Sequence, residues 1–444
     1  MTDTHHPPAD ATDPAAAAAR EFDLVLFGAT GFVGRLVAAH LAEHAPADLR
    51  IALAGRDRDR LESARSDLPP TAAAWPLVVA DASDEASMRQ LARRTRVVVT
   101  TVGPYARHGR LLVAACAEAG THSCDLTGEV LFVREAIDAH HERARETGAR
   151  IVTSCGFDSV PSDLGVLLTA AQAEADGQGT LGRATLHVRS LRGGFSGGTI
   201  DSMREQLAQM ASDPRARRVA LDPYALSPDR ASEPDRDGEP ALGAESPQRS
   251  RALARRAADR LPIERDAATG RWSAPFLMAP YNTRIVRRSN ALLGWRHGRG
   301  LRYREVHDTG RGPRGAVRAA ALAAGLGVVA AGMAWAPTRA LLGRVLPAPG
   351  EGPSAEAMAS GRFVMELDAE TTTGARYLTT VAAERDPGYT GTAVMLGESA
   401  LALAMADDSL PSRTGVLTPA TALGPALVHR LRERGFTLET RRVG

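Results

Sequence analysis

One short segment limits the folds open to this chain more than any other feature. A mostly apolar run, Phe22 to Phe27, leads directly into the glycine-rich string Gly28-Ala29-Thr30-Gly31-Phe32-Val33-Gly34. Apolar side chains then recur at helical spacing from Phe32 to His44. A buried strand, a tight glycine turn and a helix in this order are typical of a parallel α/β sheet.

The three glycines of this loop suit the binding of a dinucleotide. Gly28 permits the tight turn, Gly31 lets a pyrophosphate approach the backbone, and Gly34 allows the helix to pack closely on the strand. The helix N-terminus offers unpaired N–H groups to a phosphate. A glycine turn without a ligand is the alternative, and the strand–loop–helix context disfavours it. We therefore predict cofactor contacts from Gly28, Ala29, Thr30, Gly31, Phe32, Val33 and Gly34.

The pattern of strands and helices continues beyond this loop. Further strands are predicted at 51–54, 75–80, 97–102, 121–125 and 149–154, with helices between them. This alternation predicts an N-terminal Rossmann domain, a doubly wound parallel sheet, over residues 21–155. The polar, proline- and alanine-rich residues 1–20 are predicted to be a disordered tail.

The ends of the predicted strands carry the other cofactor candidates. Arg56 stands where NAD-specific domains usually have an acidic residue, so it favours NADP(H) through a 2′-phosphate. The alternative is a surface arginine with Asp57 binding the ribose. Asp81 is a candidate for the adenine side or, equally, for a helix cap. The loop after the fourth strand is expected near the nicotinamide, through Thr101, Val102, Gly103 and Pro104.

Candidate catalytic groups lie in the same loops. Tyr105 follows the fourth strand and Asp158 follows the sixth, and both are candidate proton donors, with packing and capping as the alternatives. Asp125 is a further acid–base candidate. Cys155 is disfavoured as a nucleophile because no base is near it in sequence. No histidine cluster has the spacing of a metal site, so no metal is predicted.

The second part of the chain, 156–414, has a different pattern. Alternating apolar side chains in Arg183–Arg192 and Arg362–Ala369 predict a mixed or antiparallel sheet in a second α/β domain. Residues 227–256 are rich in proline, aspartate, serine and arginine and are predicted to be a mobile insertion. The segment 319–336 has no charged residue and is predicted to be a buried helix, with membrane-surface contact and a membrane span as alternatives.

Composition excludes several functions. The net charge of +2 does not indicate a nucleic-acid-binding surface. The chain contains no lysine, so all 54 basic residues are arginines. Extended short-chain dehydrogenases share the glycine string but need a tyrosine–lysine pair, and that mechanism is therefore excluded. The odd count of three cysteines fits a reducing cytoplasm better than an oxidising compartment.

Several strings together resemble the saccharopine dehydrogenase-like oxidoreductases, and within them the trans-acting enoyl reductase branch. They span nearly the whole chain: Gly28 to Gly34, Ala54-Gly55-Arg56, Val102 to Tyr105 with His108-Gly109, Asp125 to Glu129, Gly156 to Pro161, Phe195 to Thr199, Pro349 to Pro353, Gly388-Tyr389 and Gly415 to Ala420. The tail and the segment 227–256 match nothing in this family.

This resemblance implies an activity and an architecture. It implies that NADPH reduces the carbon–carbon double bond of a polyketide-derived or fatty-acyl lipid intermediate, on a chain that can be bound to a carrier. It also implies that 415–444 forms a C-terminal helix that packs on the first domain. A homodimer is a further prediction. Two other functions stay open: an imine or amino-acid dehydrogenase, and a non-catalytic nucleotide-binding protein at lipid surfaces.

Overall fold

The computed structural model describes residues 20–193, 197–233, 263–267, 269–334, 352–405 and 409–443. The predicted tail up to residue 19, residues 234–256 of the predicted insertion, and residues 335–336 of the apolar segment lie outside these ranges. Arg20 already belongs to the first domain, since its guanidinium donates to the carbonyls of Ala92 and Ala119. The first domain therefore begins at least one residue before the predicted boundary.

The described residues form two sheets with helices packed on them. The strands are β1 (Phe22–Phe27), β2 (Ile51–Gly55), β3 (Leu77–Val79), β4 (Thr95–Thr100), β5 (His122–Cys124), β6 (Arg150–Val152), β7 (Leu181–Arg192), β8 (Glu264–Arg265), β9 (Arg271–Pro275), β10 (Arg302–Arg311), β11 (Arg362–Thr371), β12 (Arg376–Ala383), β13 (Gly415–Leu417) and β14 (Thr437–Arg442).

The α-helices are α1 (Phe32–His44), α2 (Arg58–Ser66), α3 (Glu85–Arg94), α4 (Tyr105–His108), α5 (Arg110–Ala119), α6 (Val130–Glu146), α7 (Val160–Ala175), α8 (Gly197–Ser212), α9 (Pro214–Leu221), α10 (Ala279–Leu292), α11 (Gly312–Ala334), α12 (Ala355–Ala359), α13 (Thr392–Met405), α14 (Pro419–Ala422) and α15 (Gly424–Glu433). Short 3₁₀ turns lie at Pro70–Ala72 and Arg230–Ser232, and a π-helical turn at Pro387–Gly391.

The first sheet is parallel throughout and has the order β13-β6-β5-β4-β1-β2-β3. Its interior strand β1 is buried along its whole length, which explains the nearly continuous apolar run in the sequence. Strand order changes direction between β1 and β4, and ligands bind at such a point beyond the carboxyl ends of the strands. The predicted Rossmann domain is confirmed.

The second sheet has the order β14-β12-β11-β7-β10-β9-β8. Strands β7 and β10 run parallel, and the other neighbours pair antiparallel. This is the mixed sheet that the alternating pattern predicts. The helix α7 packs on β12, β14 and β11, while α10 packs on β10 and on α7. These two helices therefore pack on one face of the second sheet and on each other.

The apolar segment belongs to α11, which packs on β9 and β10. Ala319 and Ala323 are buried there, whereas Val317 and Val328 are 68% and 72% exposed, so the prediction of a buried helix is wrong for most of the described part of the segment. Among the helices of the described ranges, none has the length and hydropathy to cross a membrane. Contact with a membrane surface stays a prediction.

The C-terminal region is more than the predicted helix. β13 extends the first sheet beside β6, α15 packs on α13, and β14 completes the edge of the second sheet beside β12. The buried helix α13 packs on α1 and β4 of the first domain. After its middle region the chain thus adds one strand to each sheet. These C-terminal strands and helices connect the two domains.

Candidate active site

Two glycines of the loop after β1 are required by the packing of the protein itself. Gly28 has φ +95°, and a Cβ added there would lie 2.7 Å from Thr101 Oγ1. The Thr101 hydroxyl donates to the Gly28 carbonyl oxygen at 3.1 Å. A Cβ on Gly34 would lie 2.1 Å from that same carbonyl oxygen. These contacts fix the tight turn and the close approach of α1 to β1.

Gly31 has a different reason to be glycine. Its φ of −76° is open to any residue, and a Cβ there would meet only the Gly28 oxygen, at an ordinary 3.5 Å. Gly31 lines a cavity at the start of α1. Among the described residues no side chain caps this helix, and its first turn has no acidic residue, so its N–H groups suit an anion. The space left by the missing side chain fits a pyrophosphate.

The tip of β2 separates the two predicted ribose ligands. Asp57 is the N-cap of α2, because its carboxylate accepts from the Arg60 backbone N–H at 3.0 Å. Arg56 is exposed beside it. Asp57 therefore caps a helix, and the contact of the Arg56 guanidinium with a 2′-phosphate stays a prediction.

Asp81 lies close to Arg56 but makes a local turn. Its carboxylate accepts from the backbone N–H of Ser83 at 2.9 Å and from its hydroxyl at 2.8 Å. These two hydrogen bonds, with a smaller effect of the Arg56 charge, lower the pKa of Asp81. The N-cap of α3 is Asp84. Asp81 therefore shapes the loop before α3, and its contact with the adenine stays a prediction.

A cavity of about 410 Å³ runs from the glycine loop into the second domain. The first domain contributes the start of α1 and the ends of β4, β5 and β6. The second domain contributes α8, the end of α9, the start of α10 and the turn Pro387–Gly391. The loop after β4 lines it through Thr101, Gly103 and Pro104. The elements that the strand-end rule predicts thus meet at one cleft.

Tyr105 lines this cavity with its polar atom already engaged. The buried hydroxyl donates to the Thr100 carbonyl oxygen at 3.2 Å and accepts from the Leu126 N–H at 3.1 Å. Its ring lies 5.8 Å from that of Phe132. Burial raises the pKa of Tyr105 well above its usual value. The hydroxyl connects the loops after β4 and β5 and has no second proton to donate.

Glu129 connects the first domain to α8. Its carboxylate accepts from the backbone N–H groups of Tyr105 and Ala106, both at 2.8 Å, and from the Ser202 hydroxyl at 2.6 Å. Burial raises its pKa. The string Asp125 to Glu129 drew attention to this loop, but the sequence did not indicate that Glu129 would reach across to the second domain.

Asp125 supports the loop after β6. Its carboxylate accepts from the N–H groups of Thr127 at 2.9 Å and Ser154 at 3.0 Å. Burial raises its pKa to about 7. Ser154 has φ +68°, a conformation that costs a non-glycine residue roughly 1 to 2 kcal/mol. The Asp125 carboxylate helps to hold Ser154 in that conformation, with its side chain at the cavity.

Asp158 is the candidate acid whose side chain is free. Its half-buried carboxyl lines the cavity and bonds to no other described residue. Burial raises the pKa of Asp158 to about 6. Ser159, the next residue, donates instead to Asn282 at 3.1 Å. A carboxyl without partners, and with a pKa near neutral, is suited to carry a proton to a bound molecule.

A second polar group comes from α10 and was not predicted. The hydroxyls of Tyr281 and Ser154 lie 2.5 Å apart at the cavity wall, although 127 residues separate them in sequence. Tyr281 is buried, and burial raises its pKa well above the usual value. The pair can donate one hydrogen bond into the cavity. No sequence motif marks Tyr281, so only the packing of α10 on the first domain brings it here.

Most of the remaining wall is apolar. Large apolar side chains from both domains surround the polar groups: Phe32, Leu126, Phe157, Leu191, Met203, Leu277 and Met278. Cys155 lies beneath this wall, fully buried, and burial raises its pKa, so it is not a thiolate nucleophile. Within the described residues no group of three or more metal-binding side chains occurs.

Comparisons with known proteins support the cofactor class and the fold described above. The family model for the saccharopine dehydrogenase NADP binding domain matches residues 24–152, the region that holds the glycine loop and Arg56. The chain also has the fold of saccharopine dehydrogenase (L-Glu forming) from Saccharomyces cerevisiae, with a TM-score of 0.52 at 14% identity over 95% of this chain and 99% of that one. The protein is an NADP-dependent oxidoreductase.

Curated relatives are closer in sequence. The trans-acting enoyl reductase of Mycobacterium ulcerans is 46% identical over 431 residues, which cover 96% of this chain and 99% of the relative. A Mycobacterium tuberculosis protein with the provisional name trans-acting enoyl reductase is 50% identical over 428 residues, which cover 96% of this chain and 98% of that protein. The chain belongs to the trans-acting enoyl reductase family of saccharopine dehydrogenase-like oxidoreductases.

Proposed function

We propose that this protein reduces the carbon–carbon double bond of an enoyl thioester, on a polyketide-derived or fatty-acyl chain that is delivered on a carrier. The observation that carries the proposal is the cavity, which joins the glycine loop to an apolar wall beside the carboxyl of Asp158, and that carboxyl bonds to no other described residue. The relatives' names supply the reaction class, and the apolar wall suits an acyl chain.

The reaction adds one hydride and one proton across the double bond. NADPH held by the glycine loop and Arg56 would supply the hydride for the β-carbon, and the thioester oxygen would then gain negative charge as the double bond shifts. The Tyr281–Ser154 pair can donate a hydrogen bond to that oxygen. Such a donor stabilises the developing charge best when it is already fixed in place, and the 2.5 Å contact fixes it.

Asp158 then supplies the proton to the α-carbon. Its pKa of about 6 leaves part of the population protonated at neutral pH, and no bond to another described side chain has to break first. Tyr105, the other predicted donor, already uses its only hydroxyl proton in a hydrogen bond to the Thr100 carbonyl oxygen. We therefore assign the acid role to Asp158 and a loop-positioning role to Tyr105.

The cavity disfavours a dicarboxylic amino-acid substrate, which the fold alone would permit. Such a substrate needs arginines that converge on its carboxylates. Among the described residues that line the cavity, the one arginine is Arg284. Its guanidinium donates to the carbonyls of Asp222 at 2.8 Å, Ala220 at 2.6 Å and Pro280. These backbone bonds give Arg284 a role in holding α9 at the cavity.

The test is NADPH oxidation by the purified chain with neutral N-acetylcysteamine thioesters of increasing enoyl chain length. We expect turnover that rises with chain length as the acyl group fills the apolar wall, because each buried methylene contributes about 0.8 kcal/mol. A saturated thioester of the same length is the control and should give no oxidation. Absence of turnover at every length, with NADPH bound, would overturn the proposal.

A further inference from the structure

The short helix α9 carries an unusual concentration of positive charge. Arg215, Arg217 and Arg218 are all exposed, and no residue of the helix is buried. The guanidinium of Arg217 donates to the Met210 carbonyl at 3.1 Å. Those of Arg215 and Arg218 bond to none of the described residues. These arginines therefore do not support the core of the domain.

Neighbouring acidic groups offset this charge only in part. Asp213 accepts from the backbone N–H of Arg215 at 2.7 Å and caps the helix. Asp222 forms its ion pair with Arg230. Asp213 therefore offsets one of the three arginine charges, and Arg287 adds a further guanidinium over the ring of Tyr224. The surface made by Arg215, Arg217 and Arg218, named here the α9 surface, therefore carries a net positive charge.

The α9 surface adjoins the cavity. Ala220, one turn after Arg217, lines the cavity wall, and Arg284 holds its carbonyl. At about 1.5 Å per residue, Arg215 lies within roughly 8 Å of Ala220 along the helix axis. That distance is comparable to the Debye length of about 8 Å at physiological salt, so the arginines act on whatever approaches the cavity.

We propose that the α9 surface docks an acidic carrier domain, which presents its acyl chain to the cavity on a flexible arm. The inference rests on the proposed function, in which the enoyl chain is delivered on a carrier. Charge complementarity identifies the partner: exposed arginines beside a cavity attract a carboxylate-rich surface and steer its approach. The acyl group itself then contacts the apolar wall, and the arginines contact only the carrier.

The experiment compares one enoyl chain in two forms, attached to an acidic acyl carrier protein or to neutral N-acetylcysteamine. The variant Arg215→Glu/Arg218→Glu is set beside Arg183→Glu/Arg302→Glu. The control arginines are exposed and unbonded among the described residues, and they pair at the far end of β7 and β10. At about 3.3 Å per residue they lie roughly 26 Å along β7 from the cavity-lining Leu191.

We expect the α9 variant to lose about tenfold or more in kcat/KM for the carrier-bound chain at low salt, with little change for the N-acetylcysteamine thioester. The control variant should keep both values. The advantage of the wild type should shrink as salt rises. Equal values for both variants on the carrier-bound chain, or an equal loss on both substrates, would overturn the inference.

Direct binding separates this inference from the proposed function. Binding of the carrier protein to NADP⁺-loaded enzyme is measured without turnover, so the α9 surface is tested even if no thioester is reduced. Weaker binding by the α9 variant alone supports the docking surface. Unchanged carrier binding overturns it, and loss of binding to vesicles of anionic phospholipid in that case would assign the surface to a membrane. Melting temperatures of all variants establish that they are folded.

Discussion

At the scale of single residues, the candidate acids differ in whether their polar atoms are already bonded. Tyr105 and Asp125 each connect two backbone segments through their side chains, whereas Asp158 bonds to none of the described residues. The sequence places all three at strand ends, and it cannot separate them further, because hydrogen-bond partners depend on how the loops fold together. Tyr281 is beyond sequence reasoning for the same reason.

The Asp158→Asn variant tests the acid role with a side chain of nearly the same shape. We expect kcat for enoyl reduction to fall by about 100-fold or more, since general acid catalysis contributes roughly 10² to 10⁴. NADPH affinity, measured by fluorescence, should be unchanged. A variant with wild-type kcat would assign the proton to water or another group.

The pH dependence of kcat gives a second test of Asp158. Burial raises its pKa to about 6, so the carboxyl carries its proton below pH 6 and loses it above. The rate of protonation should therefore fall as pH rises through 6. The Asp158→Asn variant should lack this step in its residual rate, and a step that persists in the variant would belong to a different group.

The Arg56→Gln variant tests cofactor choice. Loss of a charge-assisted hydrogen bond to the 2′-phosphate costs about 1.5 to 3 kcal/mol, which corresponds to roughly 10- to 150-fold weaker NADPH binding. NADH binding should be nearly unchanged, so the ratio of NADPH affinity to NADH affinity should fall. Arg93→Gln, at an exposed arginine on α3, is the matched control and should leave both affinities alone.

At the scale of elements, the strand–loop–helix unit at the start of the chain is the most predictable part of the molecule. Its apolar run, glycines and helical spacing are local signals, and β1 and α1 occur where they indicate. The second domain is less predictable, because β7 pairs with β10 and β11, two strands that follow it only much later in the sequence. Alternation indicates that these strands exist but gives no order or direction for them.

Substitution of glycine by alanine is predicted to change the melting temperature at one position of the loop and not at another. Gly34→Ala should lower the melting temperature, because its Cβ would lie 2.1 Å from the Gly28 carbonyl oxygen. Gly31→Ala should keep the wild-type melting temperature, since the protein leaves 3.5 Å for its Cβ, but it should weaken NADPH binding by crowding the pyrophosphate. Equal effects of both substitutions on stability would contradict this assignment.

At the scale of the whole molecule, a buried carboxylate joins segments that lie far apart in sequence. Glu398 of α13 accepts from His40 at 2.8 Å, and from Arg430 and Arg434, each at 2.7 Å. Burial alone would raise the pKa of Glu398, but the bonds from His40 and Arg434 and the charge of Arg430 outweigh it and lower the pKa to about 2. No sequence pattern indicates this cluster, because its members come from three separate helices.

Glu398→Gln should therefore destabilise the whole chain. Removing one partner of a buried ion pair costs about 3 to 5 kcal/mol, and urea denaturation measures the loss. In the wild type this contribution is complete above the unfolded pKa of about 4.3. It disappears as pH falls towards 2, where the folded carboxylate gains its proton. A variant as stable as the wild type at pH 7 would contradict the role of this cluster.

The proposed reaction is tested most directly by following the hydride. The enzyme is supplied with an enoyl thioester and with NADPH that carries deuterium in place of both hydrogens at C4 of the nicotinamide. The account predicts a saturated thioester with one deuterium on the β-carbon and a solvent-derived hydrogen on the α-carbon. Deuterium on the carbonyl carbon, or NADPH consumption with an imine substrate and none with any enoyl thioester, would contradict it.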